Sequence, residues 1–459
     1  MNSSASGWIA PLLARHGVKM IGLVHELPSI INQMRLENAL VDLSRHSEAL
    51  VFASATVRDK DAKALGVTWR NAKVLPQGLY KTGVIAELSK KEEARDRITR
   101  RLGLPSDARI VLGVGYGDAR KGMDIFATWA AAAAKRWPHV HFVWLGALAP
   151  EFQKLKTKAA ADRHCNLHLP GFEDDTSDFY AAADAYALSS REDPYPSTAL
   201  EALAAATPII TVRGTGGIEE LERDGCIKVI ANADASSFVA AAGEWIENRA
   251  AAIAAGERGR DVVRERFGFA SYVGELTDLL GLGLPSISVV VPNYNYARHL
   301  KQRLESIVNQ TLAPREIIFL DDCSSDDSVA VAERVLADAP INWRIVRNDE
   351  NSGDVFAQWR RGAELAQGDI VWIAEADDWA DPRFLETAAK AFQRNDIVLS
   401  MTQSQQADRE GRVTSADYLD YVRDVSSVKW TRAFLSDGCE EVREGLSIKN
   451  TIPNVSAVL

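Results

Sequence analysis

Short apolar runs alternate with stretches of helical spacing along most of this chain, and that alternation limits the fold more than any other feature. Runs at 109–115, 139–146, 166–171, 185–190, 208–212 and 228–230 have strand length and are bounded by glycine, proline or polar residues. Helical patterns lie between them, including the alanine-rich stretch 126–135. A strand that must return through a helix pairs in parallel with the next, and the returning helices cover both faces of the sheet. The middle of the chain, 106–283, is therefore expected to be a doubly wound α/β domain with its ligands at the carboxyl ends of the strands. A shorter alternation precedes it, with strands at 18–24, 49–54 and 73–78 and a helix over 31–43. A further one follows: strands at 288–291, 316–320, 343–347 and 370–373, with helices over 297–309, 328–337 and 354–366.

The 459 residues suit about three domains at roughly 150 residues each. The Gly- and Pro-bearing join LLGLGLPSIS at 279–288 places a boundary near Pro285. The expected parts are 1–105, 106–283 and 286–459. A hydrophobic share of 46% with 25% charged residues excludes a disordered or fibrous chain. The net charge of −10 argues against a nucleic-acid surface. Cys165, Cys226, Cys323 and Cys439 show neither zinc spacing nor a disulfide framework. No apolar run has the length of a membrane span, and the apolar patch near the N-terminus is broken by Pro11 and Arg15. A cytoplasmic chain is expected.

Polar residues gather where the middle strands end. The first runs into GVGYGDARKG, 113–122, in which glycines permit close backbone approach and Arg120 and Lys121 precede a helix start, a natural seat for a diphosphate. It is not a Walker loop, because no Ser or Thr follows the lysine. The fourth runs into SSREDPYPSTALEALAAATPII, with Asp193 in the turn and Glu201 inside the next helix. Either carboxylate suits sugar hydroxyls, although Thr198 and Glu201 also fit a capping box that would tie Glu201 to the helix start. Gly214, Thr215, Gly216 and Gly217 form another glycine turn. In the first part, His25 sits at a strand end, either as a site residue or as a hydrogen-bonded turn histidine.

In the last part the strand 370–373 runs into EADD, placing Glu375, Asp377 and Asp378 within four residues. So much negative charge is costly without a cation among it, and carboxylates with room for water and phosphate suit Mg²⁺ or Mn²⁺. Asp321 and Asp322 end another strand of the same sheet. Two acid groups converging on one edge favour a metal over an acidic solvated turn.

The order KG, D-x7-E with a small-residue helix and a proline-led strand, then GG, resembles the C-terminal domain of family 4 glycosyltransferases of the GT-B fold. The resemblance implies that Lys121, with Arg120 in place of the family's arginine (here Gly115-Tyr116), holds the nucleotide diphosphate. It implies that Asp193 meets the donor sugar, that Glu201 holds the ribose, that Gly216 and Gly217 line the donor site, and that Gly171-Phe172 reads the base. His25 matches the family's strand-end histidine, so His25 and Asp193 are the catalytic candidates. This half would transfer with retention and without a metal. Its first part resembles an N-terminally shortened acceptor-side domain.

VPNYN, DDCSSDD, NSG at 351–353 and the acidic motif resemble family 2 glycosyltransferases of the GT-A fold, C-terminally shortened, with SAVL at 456–459 reading as mid-strand. The resemblance implies that Pro292, Tyr294, Asp321, Asp322 and Glu375 grip the donor and that Asp377 and Asp378 hold Mn²⁺ or Mg²⁺ during inverting transfer. Glu375 stands where the family has Asp. The family's general base lies further downstream, and no spacing singles out Glu440 or Glu441 for that role. Together the two resemblances imply transfer of UDP- or GDP-linked sugars to a growing or lipid-linked glycan in bacterial surface polysaccharide synthesis, with peripheral contact at the inner membrane face. The alternatives are a non-catalytic donor-binding fragment or scaffold and, from another class, a nicotinamide oxidoreductase, against which stands the missing G-x-G-x-x-G.

Overall fold

The computed structural model describes residues 1–81, 88–161, 166–281, 285–394, 396–452 and 454–459. Cys165 and the centre of the join, 282–284, lie outside the described residues. The chain divides into two compact units, Met1–Leu282 and Gly283–Leu459.

The first unit opens with a parallel sheet of three strands in the order β1 (Ile21–Val24), β2 (Ala49–Phe52), β3 (Ala72–Val74). The single helix expected over 31–43 is two helices, Pro28–Met34 and Glu37–His46. Arg35 between them is left-handed (φ 55°), which ends the first helix by satisfying its last carbonyls. The helix Ala55–Leu65 then starts from Ser54, whose hydroxyl accepts the Val57 amide at 3.1 Å.

Six parallel strands follow: β4 (Arg109–Val114), β5 (Val140–Leu145), β6 (Leu167–Gly171), β7 (Ala185–Leu188), β8 (Ile209–Val212) and β9 (Ile227–Ile230). Their spatial order is β6-β5-β4-β7-β8-β9. The order reverses between β4 and β7, so the connecting helices leave in opposite directions there and open a crevice at the strands' carboxyl ends. Alternate residues of β4 feed two cores: Ile110 and Leu112 pack on one face, and Val111 joins Phe126, Trp129, Phe142 and Phe238 on the other. Trp129 and Phe238 stack at 4.4 Å with 12° between their planes.

The second unit holds four parallel strands, β10 (Ile287–Asn293), β11 (Glu316–Asp321), β12 (Asn342–Arg347) and β13 (Ile370–Ile373), ordered β12-β11-β10-β13. Pro292 is tolerated in a central strand because β13 pairs with β10 only from Ile287 to Val290, so no ladder bond is lost on that side. Beyond β13 the chain is less regular. The final residues turn through a short helix, Val455–Ala457, and Val458 then bridges Met401 antiparallel, in place of a regular final strand. Among the described residues, no helix is long and apolar enough to cross a membrane.

Candidate functional site

In the first unit, the two strands flanking the reversal each deliver one charge. β4 leads through the glycine loop to Lys121, and β7 leads to Asp193. The Lys121 ammonium donates to Asp193 Oδ2 at 2.5 Å, and Ser190 Oγ donates to the same oxygen at 3.2 Å. Asp193 is buried, and the lysine is mostly so. The lysine stem lies along Gly115, whose absent Cβ would come within 3.5 Å of it. Gly122 has φ +73°, and a Cβ there would lie 2.0 Å from the Ser189 carbonyl oxygen. The Lys121 carbonyl accepts the Ser189 hydroxyl at 3.0 Å, and the Lys121 amide donates to Asp118 at 2.7 Å. Only glycine lets the two loops close this tightly.

Arg120 lies beside this pair and donates to the Glu192 carbonyl at 3.1 Å. Gly216 packs against the Asp193 backbone, where a Cβ would lie 1.6 Å from the carbonyl oxygen, and Gly217 is crowded by Ser54 and Tyr195. The Asp193 amide donates to the Thr215 carbonyl at 2.9 Å, so the glycine turn and the acid loop form one structure. Glu201 is not tied to the helix start. Pro196 occupies the cap position, and Thr198 Oγ1 is 3.0 Å from the Tyr186 hydroxyl, which donates to it. The buried Glu201 carboxylate instead accepts from Lys81 Nζ at 3.3 Å, and Lys81 also reaches Thr176 at 2.7 Å. Nothing in the sequence motif pointed to Lys81. Gly171 ends β6 at φ +104°, and Phe172 after it is exposed.

His25 directly follows β1. Its Nε2 lies 3.1 Å from Asn2 Oδ1, and burial pulls its imidazole below the usual histidine range against the opposing pull of Glu26. Burial pushes Glu26 upward, but bonds from the Ser3 and Ser4 hydroxyls and from the Ser4 and His25 amides outweigh it. Among the described residues, the side-chain hydrogen bond of His25 thus joins it to Asn2 near the N-terminus, not to Lys121 or Asp193. The helix carrying Ser29 does reach the acid loop, through a hydrogen bond from Ser29 to Glu192.

In the second unit, the acids Glu375, Asp377 and Asp378 follow β13, with ligand oxygens within 4.8 Å of one another. Burial, then Asp378 and Asp377, push Glu375 above the usual carboxylate range, while Arg303 opposes. Asp378 Oδ2 is buried without a hydrogen-bond donor among the described residues. An all-oxygen donor set with one orphaned acceptor fits a hard divalent cation.

Asp321 and Asp322 end β11. Asp321 is fully buried and accepts from Asn293 and the Ser324 amide, each at 3.1 Å, with Arg347 at 3.4 Å. Asp322 accepts from Asn348 at 2.5 Å, from the Ser352 hydroxyl at 2.7 Å and from Gln358 at 3.0 Å. Burial raises its carboxyl, yet these bonds hold it below the usual range. Pro292 is buried in β10, whereas Tyr294 just beyond it is exposed.

The residue that motif reading missed is Arg303, on the helix Ala297–Val308. It is fully buried, its Nε donates to the Glu375 carbonyl at 2.8 Å, and its guanidinium lies 5.1 Å from the Trp372 ring centroid. Burial lowers its pKa to about 10 against the attraction of Asp378, Glu375 and Asp377, so it stays charged at neutral pH. A signal was present: Leu300, Arg303, Leu304 and Ile307 share one helical stripe, and an arginine inside an apolar stripe needs a buried partner.

Comparison with known proteins covers both units. Residues 94–262 match the family described as Glycosyl transferases group 1, and residues 288–440 match Glycosyl transferase family 2. Relatives include the uncharacterized glycosyltransferase alr2836 of Nostoc sp., 34% identical over 24% of this chain and 34% of its own length. Another is YwdF of Bacillus subtilis, 35% identical over 25% of this chain and 41% of its own. Chondroitin synthase of Escherichia coli is 26% identical over 29% and 19%. The chain thus spans less than two thirds of the length of these relatives. In fold it is similar to Anabaena Alr3699/HepE, solved in complex with UDP and glucose (TM-score 0.51, 18% identity, 61% of this chain and 76% of that one). It is also similar to sucrose-phosphate synthase from Thermosynechococcus elongatus (TM-score 0.51, 20% identity, 61% and 71%). The chain therefore carries two glycosyltransferase matches in one polypeptide, residues 94–262 to the glycosyl transferases group 1 model and residues 288–440 to the glycosyl transferase family 2 model.

Proposed function

We propose that this protein transfers sugars from nucleotide-sugar donors to a growing glycan in surface polysaccharide synthesis, through three parts: 1–105 on the acceptor side, 106–283 binding one donor, and 286–459 binding another. One observation, repeated in both units, supports this: charged side chains gather at the carboxyl ends of a parallel sheet beside the point where strand order reverses.

In either unit the bond from the anomeric carbon to the diphosphate breaks, and the diphosphate keeps the electron pair. An acceptor oxygen bonds to that carbon and releases its proton. In the first unit, Lys121 and Arg120 would meet the diphosphate charge, while Gly216 and Gly217 leave room for it. Once the phosphate draws Lys121 away, Asp193 is free to accept from sugar hydroxyls, and Glu201, held by Lys81, faces the ribose. His25 would face the transferred sugar from β1. In the second unit, Pro292, Tyr294, Asp321 and Asp322 would frame the nucleotide. Glu375, Asp377 and Asp378 would hold Mg²⁺ or Mn²⁺, which when bound neutralises charge on the departing diphosphate. The solved relative's UDP makes a UDP-linked donor the first to test. The acceptor would be a glycan or lipid-linked glycan, met at the cytoplasmic face of the membrane.

The test is calorimetric titration of UDP and UDP-sugars, with Mn²⁺ and again with EDTA, alongside an assay of UDP release. Metal-dependent binding that Asp377→Asn abolishes, together with UDP release, is expected. Binding without release on any acceptor offered would favour a donor-binding scaffold. No nucleotide binding in either condition would sink the proposal.

A further inference from the structure

Arg303 is left unexplained by the transfer chemistry. It is completely buried between Leu300, Leu304 and Ile307 of its own helix and the acidic loop, a costly place for a cation. Of its three nitrogens, only Nε has a partner, the Glu375 carbonyl oxygen; Nη1 and Nη2 have no acceptor among the described residues. The carboxylate acting on it most strongly is Asp378, whose Oδ2 is itself a buried acceptor without a donor among the described residues. The guanidinium cannot swing away. Its helix and the segment after it are clamped to the acidic loop by the Ala380 amide on Ser306 Oγ at 3.2 Å, Gln310 Nε2 on the Asp381 carbonyl at 2.8 Å and the Thr311 amide on the Pro382 carbonyl at 2.7 Å.

We propose that Arg303 is a resident counter-cation that makes divalent-cation binding at Glu375, Asp377 and Asp378 conditional on a nucleoside diphosphate. This rests on the reading of those three carboxylates as the cation site. A fixed positive charge behind the cluster subtracts from its pull on a free divalent ion and adds to the pull on an incoming diphosphate. A free ion meets carboxylates already partly neutralised and binds weakly. An ion arriving with a diphosphate brings anionic charge that Arg303 attracts, so the two ligands strengthen each other. Arg303 touches no reacting atom and is a positioning residue. Its charge, not its shape alone, carries the effect.

Mn²⁺ binding to the full chain, read from loss of the free-ion EPR signal with and without UDP, tests this in the wild type, Arg303→Met, Arg303→Lys and Asp377→Asn. Arg303→Met, which keeps an apolar stem of similar length without the charge, is expected to bind Mn²⁺ alone at least threefold more tightly and to lose most of the enhancement by UDP. Arg303→Lys, which keeps the charge, should behave like the wild type, and Asp377→Asn should lose Mn²⁺. Unchanged or weaker Mn²⁺ binding by folded Arg303→Met would overturn the inference. Should that variant unfold on thermal melting, the wild type still decides, because Mn²⁺ affinity that UDP does not enhance at least tenfold overturns the inference by itself. A wild type that binds no Mn²⁺ under either condition removes the cation site itself, a separate failure recognisable without any Arg303 variant.

Discussion

The ammonium of Lys121 and the carboxylate of Asp193 meet at 2.5 Å across the point where the strand order of the six-stranded sheet reverses. One comes from the loop after β4 and the other from the loop after β7, so the crevice that a doubly wound sheet opens for ligands is closed by an ion pair. Under the proposed function, a diphosphate entering there would compete with Asp193 for the lysine. Lys121→Met is expected to abolish metal-independent UDP binding and to cost roughly 3 kcal/mol of stability, because a buried carboxylate loses its partner. Asp193→Asn should keep UDP binding within about threefold while transfer falls by about a hundredfold or more. Calorimetry and UDP release on both variants check this; equal loss of binding in the two would argue against separate roles.

Gly122 sets the position of that lysine. Its backbone is left-handed, and any Cβ would sit 2.0 Å from the Ser189 carbonyl oxygen. Gly122→Ala must therefore push the β4 and β7 loops apart, at a cost of about 1–3 kcal/mol. The predicted signature is a lowered melting temperature together with at least tenfold weaker UDP binding in EDTA. Gly17→Ala, also left-handed but with open space around it, should lower stability less and leave UDP binding unchanged.

Asp61, on the helix Ala55–Leu65, makes the first unit sensitive to pH. It is fully buried, and among the described residues neither carboxylate oxygen has a hydrogen-bond donor. Burial, then Glu26 and Glu192, push its pKa up to about 8, against the opposing pull of Lys60. The native state thus keeps a proton that the unfolded chain releases near the usual value of 3.8. Asp61's contribution to stability is complete below about pH 4 and declines as the pH rises toward 8. Asp61→Asn removes that decline. Melting curves should show variant and wild type nearly equal at pH 4 and the variant more stable at pH 8, by roughly 5 kcal/mol. A gap that does not widen with pH would refute the assignment.

The strands were legible because each is a short apolar run ended by polar or glycine residues, and β13 coincides with the run 370–373. The break at Arg35 was not, because apolar spacing continues through it and a left-handed residue other than glycine leaves no compositional mark. The site divides in the same way. Lys121, Asp193 and the acidic triad announce themselves by their position at strand ends. Lys81 and Arg303 act through partners distant in sequence, and a single chain does not show which partner a buried charge will find; nor does it show that Asp61 is buried with none among the described residues. The capping-box alternative for Glu201 failed for a local reason: Pro196, not Thr198, stands at the helix start.

Asp322 offers the sharpest test of how the second unit is held for the nucleotide proposed to bind there. Its carboxylate accepts the amide and hydroxyl of Ser352, the Asn348 amide group and the buried Gln358, and so fastens the turn 348–354 to the end of β11. Asp322→Ala would leave these donors unpaired at a cost of about 3 kcal/mol. The turn should then become cleavable in limited proteolysis, and Mn²⁺-dependent UDP binding should weaken at least tenfold, while UDP binding in EDTA stays unchanged. Because the carboxyl is held below its usual range, its stabilising contribution is present above about pH 4 and is lost as the pH falls through the lowered value. Acid melting curves of the wild type and Asp322→Ala should therefore converge. Curves that stay parallel down to pH 2 would show that the bonds to Ser352 and Asn348 do not depend on the ionised carboxylate.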